Sequence, residues 1–215
     1  MVENWETLAS RIKVFGQQDQ EDIEWAYRQA KGGHNGKLRD DGVTRFFEHP
    51  RETTLILFDE CKIRNPRILI ASLLHDIPED SPILGSALIR NYRDWVRILM
   101  YRLCRMFDYE TAQMIVTVTK PKIDGVEIFT DEEVEKIYLE NLDNATPDTL
   151  LVKMGDRLHN CRTLYTTSLE KQIRKVRETR EKYFPIFEKA GKKYPDETAY
   201  MLNQIEQAIS KISKS

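Results

Sequence analysis

Apolar residues recur at helical spacing along most of the chain. Ile23, Ala26, Tyr27 and Ala30 share one face, which predicts a helix over 19–31 with Asp19 as N-cap and Gly32 and Gly33 as its end. The stretch HNGKLRDDGVTRFF, 34–47, is polar and turn-rich, and Asp41-Gly42 predicts a tight turn. A helix is expected from about 50 to 61. The run RILIASLLHD, 67–76, is nearly all apolar and reads as a buried helix that stops at Pro78. Residues 77–83 then form a loop. Helices are expected over 84–107 with a break near Asn91, and over 109–118. A loop over 120–129 follows, then helices at 130–143, 147–161, 169–190 and 196–213. Thr130 and Glu133 stand at capping-box spacing. No segment alternates with period two over strand length, so the pattern predicts an all-α fold. No linker divides it, which makes 1–215 a single domain.

Composition narrows the function classes. With 215 residues, 40% hydrophobic and 32% charged, the chain can build a real core. Its net charge of -2, from 33 basic and 35 acidic residues, argues against a protein that coats nucleic acid. The basic run around Arg174, Lys175, Arg177, Arg180 and Lys182 is interleaved with Glu170, Glu178 and Glu181, as a solvated helix face would be. Trp5, Trp25 and Trp95 read as core anchors. Cys61, Cys104 and Cys161 are odd in number, lack a CxxC pair and read as small buried side chains, which suits a reducing compartment. The start MVENWETLAS is no signal peptide, and no run approaches the ~18 apolar residues of a membrane span. The cytosol is the expected location.

Three places carry candidate chemistry. HDIPED, 75–80, sets His75 and Asp76 at the end of an apolar helix, with Glu79 and Asp80 following. Ionised groups there are costly unless paired or bound to a cation. KMGDRLHN, 153–160, places Asp156 among apolar neighbours. Its alternative is a buried pair with Arg157 or Arg162. His49 stands just before Pro50 at a helix start, where a lone histidine is usually structural. Taken together, two imidazoles and two carboxylates make a mixed N/O set suited to Mn²⁺, Fe²⁺, Zn²⁺ or Mg²⁺. Spacing alone does not prove that they converge.

At this point the chain resembles the hydrolase domain of the RelA/SpoT family, an HD-type helical domain that removes pyrophosphate from ppGpp and pppGpp. The resemblance rests on HNGKLRDDGVTRFFEHP (34–50), ASLLHDIPED (71–80), VTK (118–120), LVKMGDRLHNCRTL (151–164) and KQIRKVRETREKYFPIFEKAG (171–191), in family order. The motif-bearing core thus runs over about 20–191. The resemblance implies His49, His75, Asp76 and Asp156 as ligands of Mn²⁺, with Glu79 and Asp80 assisting the attacking water. It places Arg39 where an arginine packs on guanine, and Asn160 and Thr163 where the nucleoside is contacted. Lys153 matches a motif lysine and is grouped with the substrate side, its role open.

Departures fall on that substrate side. Asp40 stands where a basic residue is frequent, Arg45-Phe46 replaces Pro-Tyr, and one extra residue separates Arg39 from His49. The resemblance is to small, hydrolase-only members. The leading expectation is a cytoplasmic, metal-dependent (p)ppGpp 3′-pyrophosphohydrolase whose partner is a guanine nucleotide, with no nucleic acid or membrane partner. Hydrolysis of another nucleotide, such as a nucleoside monophosphate or dinucleotide phosphate, is the alternative, and a non-catalytic nucleotide-binding module is a third. A homo-oligomer is left open.

Overall fold

The computed structural model describes residues 5–81, 84, 91–121 and 130–212. In chain order the helices are α1 (Trp5–Ile12), α2 (Gln17–Gly33), α3 (Glu48–Leu55), α4 (Pro66–Leu74), the single turn α5 (Ile77–Asp80), α6 (Tyr92–Leu103), α7 (Tyr109–Val118), α8 (Asp131–Asp143), α9 (Pro147–Thr163), α10 (Leu169–Glu178), the short α11 (Phe184–Phe187) and α12 (Pro195–Ile212). Among the described residues the only β-type pairing is an isolated bridge between Leu38 and Arg45. The fold is all-α, and its buried apolar side chains form one cluster from Leu8 to Ile209.

Two helices dominate that cluster. In α4 every residue from Ile68 to Leu74 is buried, and in α9 burial runs from Thr149 through Leu158 with only Lys153 partly open. A helix that is apolar on all sides belongs in the middle of a bundle. Accordingly α9 packs on α3, α4, α7 and α12, while α4 also meets α2, α3 and α7. Gly155 lets the π-turn Ile56–Glu60 that follows α3 approach α9. A Cβ built there would sit 3.1–3.3 Å from three side-chain atoms of Leu57, itself fully buried. Gly155→Val is therefore expected to lower stability by about 1–3 kcal/mol through overpacking, read as a fall in Tm.

Helix ends follow local chemistry. Asn65, Asn91, Asp108, Thr146 and Ser168 each accept a backbone N–H as N-cap, and Thr130 with Glu133 closes a full capping box. The expected turn at Asp41-Gly42 is present. Gly42 takes φ +67° and donates to the Arg39 carbonyl at 2.9 Å.

Several expectations need correction. Asp19 is no cap, because α2 already begins at Gln17 after Gly16. Residues 77–80 are a helical turn, since Pro78 suits a first-turn position and stops only the helix before it. The long helix over 169–190 is broken by a π-turn at Thr179–Tyr183 and a tight 3-10 segment at Glu188–Lys192. The helix α1 was not signalled by the apolar pattern. Trp25 is 36% exposed and packs edge-on to Phe107, and Cys104 is exposed, so neither is a core residue. The expected loop at 120–129 and the start of the helix at 84–107 lie largely outside the described residues.

Candidate active site

Four side chains from three helices meet beside a cavity. His49 enters from the first turn of α3. His75 caps the C-terminal end of α4, Asp76 follows it, and Asp156 comes from the middle of α9. Donor atoms of His49, His75 and Asp76 lie within 4.8 Å of one another. The Nε2 atoms of the two imidazoles are 3.2 Å apart. Asp76 Oδ2 is 3.1 Å from His75 Nε2 and 3.5 Å from His49 Nε2. Asp156 Oδ1 stands 3.0 Å from His49 Nε2 and 3.6 Å from His75 Nε2.

The rest of each group is tied down. His75 Nδ1 lies 2.8 Å from the Ser72 carbonyl, which can only accept, so Nδ1 carries the proton and Nε2 turns to the cluster. Asp156 Oδ2 pairs with Lys153 Nζ at 2.6 Å, and its Oδ1 accepts from Asn160 Nδ2 at 2.6 Å. The alternative partners of Asp156 are engaged elsewhere. Arg157 stacks on Tyr183 and bonds Glu178, while Arg162 forms a two-pronged pair with Glu60. Thr119 donates to the His75 carbonyl at 2.9 Å, which gives the threonine of VTK a local role in holding the end of α4.

Electrostatics mark this cluster as short of positive charge. Burial alone would strip the proton from His75, yet Asp76 and Asp156 outweigh it and push its pKa up to about 10. For His49 burial wins, and its pKa falls. Burial works against both carboxylates, but His75 brings Asp76 down to about 2, and Lys153 with the two imidazoles holds Asp156 far below the usual range. Two imidazole nitrogens and two carboxylate oxygens crowded together need a proton or a cation between them. The donor set fits a divalent cation of the first transition row.

The cavity beside the cluster has a volume of about 910 Å³ and is lined by His49, Asp76, Glu79 and Asp156 at this end. Burial, then Asp76 and Asp80, raise the pKa of Glu79, while Lys153 and Lys120 oppose them. Its neighbour Asp80 is not in the lining. Its carboxylate is 3.7 Å from Lys37 Nζ, and Lys37 also bonds the Asp80 carbonyl. Glu79 and Asp80, adjacent in the chain, thus have different surroundings.

Arg39, Asn160 and Thr163 are brought together in the cavity wall. Arg39 Nη2 donates to Asn160 Oδ1 at 2.9 Å and lies 3.4 Å from Thr163 Oγ1, with its guanidinium 5.4 Å from the Phe46 ring centre. It pairs with neither Asp40 nor Asp41. Asp40 instead holds Lys171 at 2.7 Å. The basic face of α10 and the π-turn after it is salt-bridged as expected, through Lys175–Glu178 on α10 and Arg180–Glu206 and Lys182–Glu135 on the turn. It is not simply solvated, because Lys171, Arg174, Lys175, Arg177 and Lys182 line the cavity.

Two histidines at the site lie outside the expected ligand set. His34 is buried with neither ring nitrogen hydrogen-bonded, and it packs on Phe46 at 4.6 Å. Burial first of all brings its pKa down to about 4. His159 lines the cavity with its Nδ1 2.8 Å from His49 Nδ1, and burial followed by His49 lowers its pKa to about 3. Its position three residues after Asp156 was the available signal, since such offsets share a helix face.

No family model matches the chain. It is 29% identical over 194 residues to a guanosine-3′,5′-bis(diphosphate) 3′-pyrophosphohydrolase of Spiroplasma citri, covering 88% of this chain and 23% of that protein. A GTP pyrophosphokinase of Streptomyces coelicolor is 32% identical over 169 residues, 79% of this chain and 18% of its own length. The bifunctional (p)ppGpp synthase/hydrolase SpoT of Escherichia coli is 28% identical over 191 residues, 87% and 24% respectively. The chain therefore spans about a fifth to a quarter of these relatives. Among solved structures, one described as a metazoan ortholog of SpoT that hydrolyzes ppGpp superposes with a TM-score of 0.61 at 19% identity, covering 88% of this chain and 94% of the other. That likeness establishes a shared fold.

Proposed function

We propose that this chain, matched over 79–88% of its length by the RelA/SpoT-type proteins above, is a metal-dependent (p)ppGpp 3′-pyrophosphohydrolase. The observation that carries the reading is the meeting of His49, His75, Asp76 and Asp156 at the edge of a cavity that Glu79, Arg39 and Asn160 also line. Mn²⁺ is the cation we assign to the four donors, and the cytosol is the compartment.

Held by His49, His75, Asp76 and Asp156, a divalent cation would lower the pKa of a water and polarise a phosphoryl oxygen. Glu79 takes the proton of the attacking water, and burial raises its pKa above the ordinary glutamate value, which favours proton uptake. The water oxygen bonds to the phosphorus on the ribose 3′-oxygen, that P–O bond breaks, and the 3′-oxygen leaves with a proton. ppGpp and water give GDP and pyrophosphate. Arg39, anchored by Asn160 and 5.4 Å from the Phe46 ring centre, meets the guanine, while Asn160 and Thr163 meet the nucleoside. Lys153 and Lys120, both in the lining, offset the charge of the phosphates.

One observation favours a second reading, another nucleotide substrate. Asp40 is a carboxylate in the cavity lining and also neutralises Lys171, so this rim offers less positive charge to a polyphosphate. A single experiment separates the readings. The chelator-treated protein is reloaded with Mn²⁺ and incubated with ppGpp and a panel of nucleoside monophosphates and dinucleotide phosphates, with products resolved by ion-exchange chromatography. Mn²⁺-dependent release of GDP and pyrophosphate is expected. Turnover confined to another nucleotide supports the second reading, and no turnover by metal-loaded protein removes the enzymatic ones.

A further inference from the structure

His49 can turn a lone pair on Nε2 toward the cluster only if its ring proton sits on Nδ1. That N–H is buried and needs an acceptor inside the protein. His159 Nδ1 stands 2.8 Å away. Two imidazole nitrogens at that distance share one proton, because two lone pairs or two N–H groups would repel. If the proton is on His49, His159 accepts through Nδ1 and keeps its own proton on Nε2. The other imidazole is fixed differently. His75 Nδ1 faces the backbone carbonyl of Ser72, an acceptor that no side-chain replacement removes.

From this asymmetry we propose that His159 is a positioning residue for a divalent cation, accepting the Nδ1–H of His49 and so setting the tautomer and ring plane of that imidazole. The proposal rests on the metal reading above. α9 supplies both Asp156 and His159, three residues or about one helical turn apart. One rigid element thereby sets a carboxylate donor and the orientation of an imidazole from α3 in a fixed relation. Such outer partners of metal-bound histidines typically tune affinity.

The test measures Mn²⁺ binding directly, from the electron paramagnetic resonance signal of the free ion, in the full chain. Wild type, His159→Asn, His159→Leu and the control Asp76→Asn are compared. The amide oxygen of an asparagine can occupy the place of Nδ1, whereas leucine fills the space without an acceptor. His159→Leu is expected to bind Mn²⁺ about 10–100-fold more weakly, with His159→Asn within a few-fold of wild type. In ¹⁵N ring spectra of Zn²⁺-loaded protein, the His49 proton should stay on Nδ1 in wild type and in His159→Asn. Equal affinity in wild type and His159→Leu overturns the inference and leaves the metal reading standing, as does a loss in His159→Asn as large as in His159→Leu. No binding by wild type removes the metal reading, and this inference with it. His159→Phe keeps a ring without an acceptor and replaces His159→Leu if that variant does not fold.

Discussion

His75→Ala is expected to lose its divalent cation and at least about 10³-fold in turnover. Both carboxylates address His75, at 3.1 and 3.6 Å, and its ring is locked by the Ser72 carbonyl. Removing it leaves Asp76 and Asp156 facing His49 alone. Losing the cation forfeits several kcal/mol of charge stabilisation in the transition state, and each 1.36 kcal/mol is tenfold in rate. Elemental analysis after gel filtration reads the metal, and product release from ppGpp reads the turnover. Retained metal with retained activity would end the site described here.

The same residue sets a proton balance. In the metal-free protein the His75 pKa lies up at about 10, so the ring is protonated at pH 7. A cation that takes Nε2 must displace that proton. Cation uptake near neutrality should then release about one proton, and affinity should rise with pH up to about 10. Calorimetry in buffers of different ionisation enthalpy measures the release.

The second large effect is expected from Glu79→Gln. It should lower turnover by about 10²–10⁴-fold while cation content stays at the wild-type level. Glu79 is in the cavity lining next to the donor cluster, and amide replacement keeps its shape while removing the proton acceptor. Burial is the first cause of its raised pKa, and burial persists when a cation offsets the charge of Asp76. A base must be deprotonated to act, so wild-type turnover should fall as pH drops through a value above the ordinary range for a glutamate. Glu79→Gln should lose that acidic limb. Asp80→Asn should cost much less, because Asp80 faces Lys37 and is not in the lining. Equal losses in the two variants would contradict the split between them.

The adjacency of Glu79 and Asp80 shows where sequence stops. Both follow HD in the chain, and both carry a carboxylate. On a single helical turn, neighbours point about 100° apart. Which one meets the cavity depends on how α5 is docked, and no local pattern encodes that. Asp156 gives the same lesson. Its nearby cations along the helix are Lys153, Arg157 and Arg162, and the sequence reading favoured the arginines as alternative partners. The structure gives it Lys153, because Tyr183, Glu178 and Glu60 from other elements claim the arginines. The basic face of α10 was legible as a salt-bridged helix, yet its place in the cavity wall was not.

What the sequence alone determined was the helical class, most helix ends and the kinds of donor atom present. Helices such as α7 and α8 are set by apolar spacing of three and four residues and by caps such as Asp108 and Thr130, all within a few positions of one another. Only the tertiary structure decided which atoms meet. His49 and His159 are 110 residues apart, and their ring nitrogens come within 2.8 Å because α3 packs on α9. Local patterning tells each helix which face to bury, whereas contact between faces is fixed by close packing of the whole core.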